Sequence, residues 1–152
     1  MKQYRPATVQ DAVHVANNLR PEDLQEVQGL GYDSMASIFS VLMSDVAVTF
    51  FNRKEEIAGV AGIVKDERPG VGIIWMLCTD KVQTEPHTFV RQAKRWLNDE
   101  QRNYRLLWNL ADARNLYHHK LLKMLGFKAI NAYPTGPQKL PYLEIVKLCA
   151  YH

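Results

Sequence analysis

Residues 73–127 read IIWMLCTDKVQTEPHTFVRQAKRWLNDEQRNYRLLWNLADARNLYHHKLLKMLGF, and the succession of patterns within them decides the fold. The segment begins inside an apolar run, Val71–Cys78, that lacks polar alternation, as in a central strand covered by helices on both faces. A polar loop follows, and Thr84-Glu85-Pro86 opens a long helix, since proline suits a helix's first turn. Phe89, Val90, Ala93, Trp96 and Leu97 form its buried stripe; Arg91, Lys94, Arg95, Asp99, Glu100 and Arg102 form its other face. Residues 106–110 are again short and apolar, a strand. A second helix runs from about Arg114 to Leu125, with Gly126 placed for a left-handed cap.

The remaining elements extend outward from this unit. Upstream, Tyr4-Arg5-Pro6 starts extended. Thr8 then caps a helix, Asp11 completes a capping box, and Val9, Ala12, Val13 and Ala16 follow at helical spacing until Arg20-Pro21. A short helical turn is expected around residues 22–27, stopping at Gly29 and Gly31. Asp33 or Ser34 caps the next helix, where Met35, Ile38, Phe39, Leu42 and Met43 make an amphipathic stripe. Val46–Phe51 and residues 57–64 are apolar runs joined by Asn52-Arg53-Lys54-Glu55-Glu56, a β-hairpin. Downstream, strands near residues 128–132 and 142–149 are separated by a Pro/Gly-rich connection over 134–141. The order is β-α-α-β-β-β-α-β-α-β-β. It predicts an α/β or α+β class, with a mixed, mostly antiparallel sheet of six to seven strands and helices on both faces.

A length of 152 residues suits one domain over 1–152, and 47% hydrophobic with 23% charged residues sets aside a disordered polypeptide. The longest uncharged stretches, 34–44 and 69–79, fall short of the roughly 20 apolar residues a spanning helix needs, so no membrane partner is expected. The start, Met1-Lys2-Gln3-Tyr4-Arg5, shows no apolar signal core. Cys78 and Cys149 cannot make a disulfide framework. Both read as reduced thiols, and a cytoplasmic location is expected. The net charge of +3 is mild and names no nucleic-acid partner. Lys120, Lys123 and Lys128 read as a solvated face.

In a strand-loop-helix unit, the helix's first turn offers unpaired N–H groups and the positive end of its dipole, which suits phosphate. Two neighbouring strands that part would leave a slot beside that turn for a long thin ligand. His118 shares a face with Leu121, Leu122 and Leu125, and so points toward the sheet or the slot. It is either an acid or base near neutral pH or a satisfied core histidine. Tyr117 and His119 lie on flanking faces, Tyr117 within reach of the slot. Asp112, at its strand's end, is the nearest acidic candidate for a base, or else caps the helix. Cys78 is a nucleophile only if a base partners it. His87, His118 and His119 form no recognisable ligand spacing with Cys78, so no metal is expected.

On two motifs the chain resembles the GNAT-type N-acetyltransferases, which use acetyl-coenzyme A. The family's Gln/Arg-x-x-Gly-x-Gly/Ala loop, which cradles the pyrophosphate, aligns with Lys81-Val82-Gln83-Thr84-Glu85-Pro86. Lys81 replaces Gln/Arg, Thr84 the first glycine and Pro86 the last position. Losing both glycines hinders close approach of backbone to phosphate, Pro86 has no N–H, and Glu85 adds negative charge there. Lys81, Thr84 and His87 are the compensating candidates. The family's Asn-x-x-(Ala/Ser)-x-x-x-(Tyr/Leu)-x-x-x-Gly-Phe aligns with residues 115–127. Asn115 stands where the coenzyme arm is contacted, and Leu122 where a thiolate-protonating tyrosine is common. The glutamate base many members carry on the central strand has no counterpart in residues 73–79.

The resemblance implies an acyl-coenzyme A-dependent N-acyltransferase, with acetyl-CoA as cosubstrate and an amine, a host protein's among the choices, as acceptor. It implies coenzyme contacts at Leu77, Cys78, Thr79, Lys81, Val82, Thr84, His87, Asn115 and His118, and a backbone N–H near Leu77 or Cys78 for the oxyanion. His118, Asp112 and Tyr117 are the catalytic candidates. The Asn-x-x-His before the Leu-x-x-x-Gly terminus also resembles small GNAT-like proteins of short-tailed bacteriophages. That likeness implies an alternative: a catalytically inactive protein of this fold, either inside the virion or bound to a host protein in the host cytoplasm. Because the last strands of the family's fold often pair, a homodimer is a further expectation.

Overall fold

The apolar run Val71–Cys78 is the central strand, β4, of a seven-stranded sheet. The structure, a computed structural model, describes residues 3–149. The other strands are β1 (Tyr4–Pro6), β2 (Val46–Phe51), β3 (Ile57–Lys65), β5 (Leu106–Asp112), β6 (Lys128–Thr135) and β7 (Leu140–Leu148). The helices are α1 (Val9–Asn17), α2 (Pro21–Gly29), α3 (Ala36–Met43), α4 (Pro86–Glu100) and α5 (Leu116–Met124). The sheet order is β1-β2-β3-β4-β5-β7-β6, with every neighbouring pair antiparallel except β4 and β5.

Strand alternation divides the core into two layers. On one face Cys78 joins Phe50, Phe89, Trp96, Leu107, Leu121 and Ile145 beneath α4 and α5. On the other, Leu77 joins Val15, Val27 and Val60 beneath the first three helices. The α4 stripe forms as its periodicity predicts. Phe89 and Trp96 meet the edge of Phe50 at ring separations of 5.4 and 6.0 Å. The Thr8–Asp11 capping box is present in full, and Gly126 adopts the left-handed cap at φ 94°.

Three expectations change. The turn near residues 22–27 is a nine-residue helix, α2, which makes three helices rather than two before β2. Pro21 starts it, because a missing N–H costs nothing in a first turn. The apolar stripe of α3 faces outward: Met35, Phe39, Leu42 and Met43 are exposed, while Ser37 is buried. This helix is apolar nearly all round, so hydrophobicity does not choose a face; the Ser37 hydroxyl, donating to Ala12 O at 2.9 Å, does. The Pro/Gly-rich segment continues the ladder as a hairpin, with Pro134 opposite Pro141 and a turn beginning at Gly136, φ 75°.

A buried contact ties α2 to β7. The Tyr142 hydroxyl, fully buried, donates to Glu26 O at 2.6 Å. A Cβ at Gly29 would fall on that same hydroxyl. Gly29→Ala is therefore expected to cost about 1–3 kcal/mol through overpacking, read as a lower urea midpoint at unchanged slope.

Candidate functional site

The parallel strands β4 and β5 pair only over Val71–Ile73 against Leu106–Trp108, and then part. The final rung is a side chain: Asn109 Nδ2 donates to Ile74 O at 2.6 Å. Beyond it, α2 supplies the acceptors that a neighbouring strand would have supplied. Asp23 Oδ2 accepts the Cys78 N–H at 2.6 Å, and Glu26 Oε1 accepts the Asp112 N–H at 2.7 Å. The Arg20 N–H, at the foot of α2, donates to Cys78 O at 2.9 Å. Two carboxylates thus enter the gap, one bonded to each strand.

Burial of those carboxylates demands compensating charge. The Arg20 guanidinium, with its side chain 1% exposed, bonds Asp23 Oδ1 and Asn115 Oδ1 at 3.0 and 2.9 Å and lies 4.9 Å over the Tyr117 ring. Asn115 Nδ2 donates to Asp23 Oδ1 at 3.1 Å. The His118 nitrogens lie 3.3 Å from Asp23 Oδ1 and 3.4 Å from Glu26 Oε2. Burial disfavours the His118 imidazolium, but Asp23, Cys78 and Glu26 outweigh it and hold the pKa well above the ordinary 6.5. Arg20 and His118 then balance Asp23 and Glu26. Burial pushes the Cys78 thiol up, against a weaker pull from His118, so it remains a thiol.

Beside this cluster the gap is open. A cavity of about 270 Å³ passes between Ile74 and Met76 of β4 and Leu110 and Ala111 of β5. Glu26 and His118 border it. Its rim includes Tyr32, Ala36 and Ser40, and its deep wall is Ala61, Trp96, Leu121 and Ile145. Ile74 and Cys78 turn their peptide groups toward β5, so the two-residue period of the strand turns Met76 the same way.

The sequence candidates fall into three groups. Asn115 and His118 lie at the gap together with Cys78, but Asn115 has both ends of its amide engaged within the cluster. The Cys78 N–H, expected at the oxyanion, is occupied by Asp23, and Leu77 faces Val60 in the β3 ladder. Tyr117 supports the cluster from below; its hydroxyl is 3.4 Å from Val82 O, and burial pushes its pKa up to about 12. Asp112 Oδ1 accepts the Arg114 N–H at 2.9 Å in the turn before α5. Burial would raise its pKa, yet hydrogen bonds from Arg114 lower it, with a 2.7 Å ion pair between them.

The loop before α4 turns its polar groups elsewhere. Thr79 Oγ1 accepts the Lys81 N–H, the Val82 and Thr84 N–H groups bond back to Thr79 O and Lys81 O, and Val82 is buried. Lys81 pairs with Glu56 at 3.2 Å, beside a hollow shared with His14 and Asn18. Glu85 accepts from the Arg53 N–H. His87 instead lines a hollow of about 350 Å³ with Pro86, Val90, Arg91, Lys94 and Met124, between α4 and α5.

Arg20, Asp23, Glu26 and Met76 gave no signal of a site in the sequence. The available hint was Asp23 and Glu26 at i, i+3, on one face of a short helix. Ligand atoms of Asp23, Cys78 and His118 lie within 4.8 Å of one another, a spacing a metal would accept. Both Asp23 oxygens are already engaged by the Cys78 N–H, Arg20 and Asn115.

No family model matches the chain, and no curated protein matches it by sequence. Solved structures do match in shape. An acetyltransferase of the GNAT family from Streptococcus pneumoniae superimposes at TM-score 0.66 and 16% identity, over 97% of this chain and 98% of that one. AAC(6')-Ib in complex with ribostamycin and coenzyme A gives 0.68 and 18%, over 96% and 92%. A spermidine N-acetyltransferase, SpeG, from Vibrio cholerae gives 0.68 and 9%, over 95% and 94%. At these identities the likeness establishes architecture: the chain has the fold of the GNAT acetyltransferases.

Proposed function

We propose that the chain is an acyl-coenzyme A-dependent N-acyltransferase whose thioester lies between β4 and β5. The observation that carries this reading is the open cavity at the strand divergence of an acetyltransferase fold. The hollow beside His87, Arg91 and Lys94 suits the coenzyme's phosphates, in place of the loop before α4, where the Lys81, Val82 and Thr84 N–H groups bond internally. The pyrophosphate loop of this chain is degenerate in that sense.

The Met76 N–H faces the gap and is the donor for the oxyanion. The amine nitrogen attacks the thioester carbonyl carbon from the α2–α3 side, and the C–S bond breaks. Glu26, bordering the cavity, takes the ammonium proton; the His118 imidazolium gives one to the leaving thiolate. Transfer across the Glu26–His118 contact restores both. Asn115, Arg20 and Asp23 position this pair and do not touch the coenzyme. In this scheme Asp112, paired with Arg114, and Tyr117, its hydroxyl turned to Val82 O, transfer no proton. No metal takes part, because Arg20 already neutralises Asp23.

A second reading is favoured by one observation: the Arg20–Asp23–Asn115–His118 cluster closes the end of the gap nearest α5. On that reading the protein keeps the fold without turnover. It serves as a binding component, toward a host protein or within a virion, as the bacteriophage likeness implies.

Calorimetry with acetyl-CoA separates the two. Saturable binding is expected, weakened about tenfold by Arg91→Glu with Lys94→Glu; no heat at millimolar coenzyme leaves the second reading standing. Glu26→Gln keeps an acceptor for the Asp112 N–H and is expected to lower kcat by at least 100-fold with KM little changed. The His118 imidazolium also ties stability to pH. Its contribution is complete below the unfolded pKa of 6.5 and declines as pH rises toward the higher folded value. Between pH 6.5 and 8.5 the Tm of the wild type is expected to fall, and that slope to flatten in His118→Gln. An identical slope in both proteins removes the charged histidine from the mechanism.

A further inference from the structure

The cavity between β4 and β5 has a chemistry of its own. Its walls are Val27, Ile74, Met76, Leu110, Leu121 and neighbouring apolar side chains, and its deep end is buried. An acetyl group with the thioester that carries it would still leave part of a 270 Å³ space empty. At the roughly 30 Å³ that one water fills in the liquid, the space holds about nine groups of that size, room for an unbranched chain of six to eight carbons and its first polar atom. Alanines at 36, 61 and 111 make the room.

The rim continues the apolar character. Ala36 and Ser40, one helical turn apart on α3, line the opening. Phe39 and Met43, on the adjoining row of that helix, are 59% and 70% exposed, and Tyr32 is 67% exposed. Large side chains set in water around an apolar entrance suit the entry of an amphipathic ligand.

We propose that this cavity takes an unbranched aliphatic chain of about six to eight carbons, leaving its polar head near Tyr32, Ser40 and Glu26. Two sources share that chemistry: the acyl group of a medium-chain thioester and the alkyl part of a primary amine. The proposal names the substrate class of the transferase reading, and rests on that reading only where coenzyme is involved.

Calorimetric titration of the full chain with n-alkylamines from butyl to decyl, and with acetyl-, hexanoyl- and octanoyl-CoA, tests it. In at least one series, affinity is expected to rise about fourfold per methylene and to level off near eight carbons. A rise among thioesters alone assigns the chain to the donor. A rise among amines alone assigns it to the acceptor, and stands even if no coenzyme binds. Ala36→Leu at the rim and Ala111→Leu deeper in should each shorten the preferred chain by two or more carbons. Should one variant misfold, the other carries the comparison. Flat affinities in both series, or a length preference untouched in a folded variant, overturn the proposal.

Discussion

Two buried carboxylates hold the centre of this protein together. Beyond Asn109 the sheet loses its own hydrogen bonds between β4 and β5, and peptide groups facing an apolar interior without partners are costly. Asp23 and Glu26 take the Cys78 and Asp112 N–H groups, so α2 stands in for a piece of strand. Much else follows from that substitution. Arg20 must be buried to balance Asp23, Asn115 must bridge them, and His118 must be charged. Removing Arg20 or Asp23 alone would leave an uncompensated charge inside the molecule, which costs more than replacing the pair together.

The same arrangement divides the gap into two parts with different chemistry. Near α5 it is ionic and closed. Between Met76 and Ala111 it is apolar and empty of side chains. Glu26 and His118 belong to both parts, which is why they are the groups placed to handle protons. A carboxylate–imidazolium pair at the wall of an apolar cavity feels little screening by water, so small changes in what occupies the cavity act on it strongly.

Much of the architecture was legible from periodicity. The run from Val71 to Cys78 forms a strand, and the stripe on α4 is buried, as their patterns predict. Gly126 marked its helix end because few other residues accept φ 94°. Where two faces of an element were equally apolar, as on α3, the pattern could not choose, and one serine hydroxyl did. Within the site, His118 was visible from its helix face and Asn115 from its motif, but neither what they touch nor why. Their partners come from α2, some 90 residues away in sequence and brought near only once the sheet has formed. Composition and spacing encode burial well. They do not encode which buried acid meets which buried base.

Asn109 carries a consequence of its own. Because the terminal rung is an amide side chain and not a peptide group, the depth of the cleft is written in the position of a single residue. Each strand residue advances about 3.3 Å, and only alternate side chains share the face of Asn109, so shifting that asparagine by one step of the pattern moves the fork by about 7 Å. Relatives of equal length and identical topology can therefore differ in how far they unzip, and evolution can retune reach without rebuilding any wall.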